Sequence, residues 1–178
     1  MKRVLVPLAD GFEEIESVAV ADVLRRAGIE VVLAGLPSSI VEGANGLKVI
    51  ADKKMDNIKL DDFVALVLPG GNRGCENLGN SKTVMEAIEY FEEKGKLVAA
   101  ICAAPSLLAK AGILKDRRAT IHPGREKEIP RPRDARVIED NNVITSMGPG
   151  TAIEFALKIV ENLEGKQKAD KIRRDLCI

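Results

Sequence analysis

Two rhythms of apolar residues alternate along the chain. Short continuous runs at residues 4–8, 63–68 and 96–101 carry no polar interruption past their first residue, the pattern of strands buried on both faces. Residues 30–34 read as a further strand. Between these runs the apolar positions recur at helical spacing: Val20, Val23, Leu24 and Ala27; then Val84, Ala87, Ile88 and Phe91; then Ile153, Ala156, Leu157 and Val160. Glu13, Glu14 and Glu16 crowd the start of the first helix, where its dipole favours them, and Gly28 ends it. Residues 40–42 and 47–50 flank Gly43-Ala44-Asn45-Gly46 as a small hairpin. Residues 118–121 predict a short strand, and 126–134, with Pro130 and Pro132, a surface loop with a short helix. Residues 136–139 and 143–146 predict two strands around an Asp140-Asn141-Asn142 turn. Gly148-Pro149-Gly150-Thr151 opens the third periodic helix, and a charged amphipathic helix over 166–174 closes the chain. Alternating strands and helices predict a mostly parallel α/β sheet with helices on both faces, in one domain spanning 1–178, since no linker, repeat or low-complexity segment divides it.

One junction stands out. The run ending at Ile101 stops at Cys102, and an Ala/Leu-rich helical segment begins at once, with Pro105 in its first turn, where a missing N–H costs little. A cysteine on such a strand-to-helix turn projects from the C-terminal edge of the sheet, as in nucleophile elbows. It also faces the positive end of a helix dipole, which favours the thiolate. Four strand ends point at one crevice, at residues 8–16, 68–74, 101–103 and 146–150, and sites in open sheets lie outside such ends. An inert buried cysteine is the competing reading.

Composition narrows the classes. The 178 residues are 46% hydrophobic and 30% charged, which fits a folded globular chain rather than disorder. Lys plus Arg and Asp plus Glu both number 27, without a basic stripe, so nucleic acid is not the expected partner. No run approaches a membrane span, and residues 1–8 are too short for a secretory leader, so a cytoplasmic location is expected. Three scattered cysteines, Cys75, Cys102 and Cys177, form no disulfide framework, and a single histidine, His122, rules out a His-rich metal site.

Around Cys102 the candidate partners are few. His122 is the only imidazole, and it serves equally as a solvated or capping residue. One of Glu13, Glu14 and Glu16 can turn back to hydrogen-bond the sulfur, and burial there would raise its pKa and keep it protonated. Gly70 and Gly71, lacking Cβ atoms, permit close backbone approach, with N–H groups facing a developing oxyanion; Ala103 N–H would complete that hole. Neither glycine-rich turn matches a dinucleotide or P-loop fingerprint.

Taken together and in order, residues 8–16 (LADGFEEIE), 22–28 (DVLRRAG), 68–71 (LPGG), 100–105 (AICAAP), 120–123 (TIHP) and 148–151 (GPGT) resemble the DJ-1/ThiJ/PfpI superfamily, and most closely its DJ-1 and YajL-like branch. The resemblance runs nearly end to end. It implies a flavodoxin-like three-layer sandwich that forms homodimers. It maps the family's reactive cysteine onto Cys102 and the protonated acid that bonds it onto Glu16. The family's nearby histidine falls on His122, its backbone donors on Gly71 and Ala103, and residues lining or supporting the pocket on Arg26 and Pro149. No metal or cofactor is implied. The implied activity is Cys-dependent chemistry on small aldehydes and dicarbonyls, as in glyoxalase III-like conversion of methylglyoxal to lactate, or deglycation of protein adducts, in defence against carbonyl and oxidative stress. A non-catalytic redox sensor or chaperone using oxidation of Cys102 is the alternative. A cysteine peptidase is disfavoured, because position 103 is Ala where the peptidase branch carries His. Ala104 also replaces a usual Gly, and Met147 stands where some members carry Arg.

Overall fold

The computed structural model describes residues 1–178. A seven-stranded sheet organises the chain. Its strands are β1 (Arg3–Ala9), β2 (Glu30–Leu36), β5 (Lys53–Lys54), β6 (Ala65–Leu68), β7 (Leu97–Ile101), β8 (Val137–Asp140) and β9 (Val143–Ser146). They lie in the order β5-β2-β1-β6-β7-β9-β8. Every pairing is parallel except the edge hairpin β8–β9. A separate two-stranded hairpin, β3 (Ile40–Glu42) and β4 (Lys48–Ile50), folds around the 43–46 turn.

Because successive strand residues face opposite ways, each central strand feeds two cores. In β7, Leu97, Ala99 and Ile101 pack with α1 (Glu14–Arg26), α5 (Ala152–Glu164) and α6 (Lys166–Asp175). Val98 and Ala100 pack with α2 (Asn72–Asn80), α3 (Lys82–Glu93) and α4 (Pro105–Lys110). The result is the expected flavodoxin-like sandwich. The helical periods identified in the sequence are the buried faces, with one exception: Val20, Val23 and Leu24 of α1, Val84, Ala87, Ile88 and Phe91 of α3, and Ala156, Leu157 and Val160 of α5 are nearly inaccessible, whereas Ile153, in the first turn of α5, is 40% exposed. No helix is long and apolar enough to cross a membrane.

Two local expectations are corrected. Residues 118–121 form no strand but a single bridge, Ala119 to Pro132. Pro132 has no N–H to extend a ladder. The neighbouring amides go elsewhere: Arg118 N–H to the Asp140 carboxylate and Thr120 N–H to Thr145 Oγ1. The turn after β6 is also shorter than its glycines suggest. Gly74 and Gly79 lie inside α2, a helix that the periodicity did not reveal. A Cβ on Gly74 would come within 2.8 Å of the Gly11 carbonyl and the Phe12 backbone, so the helix can seat against the end of β1 only with glycine there.

Candidate functional site

The parallel register brings the C-terminal ends of β1, β6, β7 and β9 side by side, and Cys102 stands at their centre. Its φ of 63° lies in the left-handed region, which a side chain other than glycine adopts only under constraint. Two backbone bonds impose it. Cys102 N–H donates to Ser146 O at 2.9 Å, and Cys102 O accepts from His122 N–H at 2.9 Å. The chain is thereby pinned to β9 on one side and to the 120–123 segment on the other, and the thiol is presented at the rim with 9% of the residue exposed.

The three adjacent glutamates take three separate jobs. Glu13 caps α1, its carboxylate accepting Glu16 N–H at 2.8 Å. Glu14 reaches the 43–46 hairpin turn and accepts Asn45 N–H at 2.6 Å and Asn45 Nδ2–H at 3.0 Å. Glu16 alone points inward and is fully buried. Its Oε2 accepts Gly70 N–H at 2.7 Å, and its carboxyl lies beside the Cys102 side chain, close enough for the two groups to shift each other's protonation. Oε1 is buried without a hydrogen-bond partner and is the carboxyl's free position in the pocket.

Electrostatics couples the pair. Burial pushes the Glu16 carboxyl up to about 7, against the pull of hydrogen bonds from Cys102 and Gly70; the charge of Glu13 adds to the rise. Burial, followed by the charge and hydrogen bond of Glu16, pushes the Cys102 thiol up to about 12, while the N–H groups of Gly71 and Ala103 draw it down. Burial and the neighbouring carboxyl thus oppose the helix dipole, which favours the thiolate from a helix of six residues. Two negative charges are not tolerated side by side in this pocket. The sulfur becomes a thiolate when the pair's shared proton rests on Glu16.

The remaining predicted residues are distributed unevenly. Gly70 and Gly71 are packed without room for a side chain: a Cβ on Gly70 would overlap Glu16 Oε2 and approach Cys102 Cβ to 2.6 Å, and Gly71, at φ 92°, abuts the Gly11 carbonyl. Ala103 is inaccessible, and its N–H faces the sulfur. His122 adjoins Cys102 through its backbone, but its ring is exposed and Nδ1 lies 2.9 Å from Pro123 O rather than against Sγ. Pro149 follows Gly148, whose missing Cβ would lie 3.4 Å from His122 Cδ2, so this turn walls the histidine side. Arg26 is not brought to Cys102 within the chain; it sits in the last turn of α1 and pairs with Asp22 at 2.6 Å. Sequence reasoning passed over Ser146, whose carbonyl anchors the elbow, and Asn72, whose Oδ1 accepts from Arg125 Nη1 at 2.6 Å next to Gly71. The predicted adjacency of strand ends was the available signal for Ser146. None existed for Asn72.

The sequence profile of the DJ-1/PfpI family matches residues 2–162. The chain is 41% identical to protein dj-1beta of Drosophila melanogaster over 182 residues, covering 99% of this chain and 97% of that protein. It is 36% identical to the glutathione-independent glyoxalase DJR-1.2 of Caenorhabditis elegans, over 98% and 95% of the two chains. The solved structure of oxidized Toxoplasma gondii DJ-1 superposes with a TM-score of 0.96 at 38% identity, covering 99% and 98%.

Proposed function

The chain belongs to the DJ-1/PfpI family, and from that premise we propose that it is a cysteine-dependent, cofactor-free enzyme acting on reactive dicarbonyls. The observation that carries the reading is the fully buried Glu16 carboxyl set beside Cys102 at a strained elbow. A relative of similar length that is named a glutathione-independent glyoxalase supports it.

In this reading the Cys102 thiolate attacks the aldehyde carbon of methylglyoxal, forming a C–S bond while the carbonyl π electrons move to oxygen. The N–H groups of Gly71 and Ala103 stabilise that oxyanion, and Glu16 donates its proton to it. The Glu16 carboxylate then takes the proton from the former aldehyde carbon, and the C–H electron pair moves through to the ketone oxygen, giving an enediolate. Glu16 returns that proton to the neighbouring carbon while the hydroxyl proton of the sulfur-bearing carbon passes to the former ketone oxygen, leaving a lactoyl thioester. Water cleaves the C–S bond, releasing lactate and restoring the thiolate. His122, exposed beside the elbow, serves proton exchange with solvent, and Pro149 shapes its side of the pocket. The same attack on an early dicarbonyl adduct of a protein side chain would constitute deglycation.

Lactate formation from methylglyoxal by wild type and Cys102→Ser tests this reading. Loss of turnover in the variant is expected; equal rates would refute it. A second reading, redox sensing, is favoured by the two N–H groups and the acid proton that surround the sulfur, since they match the acceptor oxygens of a sulfinate. Selective dioxidation of Cys102 by mild peroxide, without dicarbonyl turnover, would select it. Peptidase chemistry lacks an aligned base, because the His122 ring is turned to Pro123.

We also propose that the 178 residues act as one domain in the cytoplasm, as a homodimer. Ile15 and Val18 of α1 and Ile40, Leu47 and Ile50 of the hairpin region are at least half exposed, on elements joined by Glu14. Light scattering should give twice the chain mass, falling to one chain mass when Val18 and Ile50 become Lys.

A further inference from the structure

A polar cavity lies at the C-terminal ends of β1 and β2, and neither Cys102 nor Glu16 lines it. Its volume is about 440 Å³, within the range of small-ligand sites. It opens where the doubly wound sheet changes direction: β2 lies on one side of β1 and β6 on the other, and ligands of open α/β sheets gather at such a switch point. Arg73, Asn77 and Asn80, at i, i+4 and i+7 of α2, present a polar helix face to it, while Asp10 and Asp56 close it from the other elements.

The charges there are unspent. Arg73 has its stem packed over Gly11, where a Cβ would come within 2.6 Å of Arg73 Cβ. Its guanidinium makes no ion pair, although Asp10 and Asp56 line the same cavity. Asp10 uses Oδ1 to accept Glu42 N–H at 2.9 Å, leaving Oδ2 free. Asn77 donates to Asp10 O at 2.8 Å, leaving its own Oδ1 as an acceptor. A cationic donor fork and two carboxylates held apart across one cavity are complementary to a small molecule carrying both charges. We propose that this cavity binds a free α-amino acid, its carboxylate on Arg73 in the bidentate manner of guanidinium–carboxylate pairs and its ammonium toward Asp10 and Asp56. The inference does not depend on the dicarbonyl reading of Cys102.

Isothermal titration of the full chain near neutral pH with the common L-amino acids tests it. The tightest binder is then compared with its amide, its N-acetyl derivative and inorganic phosphate. At least one amino acid should bind one-to-one. Affinity should fall about tenfold or more when either end is capped, and again in Arg73→Gln and in Asp56→Asn. The alkylation rate of Cys102 should stay at the wild-type value in both variants, reporting an intact fold. The proposal is overturned if no amino acid binds saturably, if the capped derivatives or phosphate bind as tightly, or if Arg73→Gln leaves the affinity unchanged.

Discussion

Replacing Gly70 by Ala should damage the fold and the thiol together. An added Cβ would stand 2.6 Å from Cys102 Cβ and 3.0 Å from Ile101 O, and would overlap Glu16 Oε2. None of these neighbours yields easily. Ile101 O belongs to a central strand, Cys102 is pinned at both backbone ends, and Oε2 is held by Gly70 N–H itself. Overpacking at a buried, well-packed position costs about 1–3 kcal/mol. For a chain of this size each kcal/mol lowers Tm by roughly 2–4 °C, giving a fall of about 2–12 °C. The same displacement separates the Glu16 carboxyl from Sγ, so the alkylation rate of Cys102 should change by about tenfold, the equivalent of roughly 1.4 kcal/mol. Two other glycines serve as controls. Gly150 faces open space with no left-handed φ, so Gly150→Ala should stay within about 0.5 kcal/mol of wild type. Gly28 also faces open space but has φ 81°, so Gly28→Ala should cost about 1–2 kcal/mol through the backbone alone and leave Cys102 chemistry intact. Urea unfolding and iodoacetamide kinetics on the three variants read both quantities. Gly70→Ala as stable as Gly150→Ala, or destabilised but alkylating at the wild-type rate, would refute this close packing of Gly70 against Glu16 and Cys102.

Further outcomes follow from other contacts. Glu16 has a folded pKa of about 7 against an ordinary 4.5, so between those values the folded chain keeps a proton that the unfolded chain has released. Stability should therefore fall as pH rises through that window and level off above about 7, by an amount up to about 3 kcal/mol. Urea midpoints of Glu16→Gln should lack this fall, and an identical slope in the variant would contradict it. Cys75 is buried, and that burial raises its thiol pKa strongly, so peptide mapping after native alkylation should find it unmodified while exposed Cys177 reacts; label on native Cys75 would contradict its placement. Arg117 bridges Glu92 at 2.7 Å, Asn142 at 2.9 Å and Ile113 O at 2.6 Å, far from the elbow. Arg117→Ala should lose about 1–3 kcal/mol of stability with dicarbonyl turnover unchanged per folded molecule.

The architecture was legible in local pattern alone. Short continuous apolar runs bounded by turn residues fit strands buried on both faces, and they alternate with helical periods, so the parallel sheet and its two covering layers were legible. So was the elbow, because a strand that stops at Cys102 before a Pro-led helix leaves the cysteine at the sheet's edge. Local pattern did not reach what depends on contacts distant in the chain. Gly74 of α2 read as part of a turn because its reason for being glycine, the backbone of Gly11 and Phe12, lies some sixty residues away. Residues 118–121 read as a strand because periodicity does not show that Pro132 lies opposite. The residues alone left Glu13, Glu14 and Glu16 as equals, and resemblance singled out Glu16. The fold supplies the physical reason: one carboxylate caps its own helix, one holds the 43–46 turn, and only the third is buried against the thiol. The protonation of Cys102 belongs to tertiary structure for the same reason. A helix dipole is a local property that sequence can suggest. Burial beside a carboxyl is a property of packing, and at Cys102 it opposes the dipole.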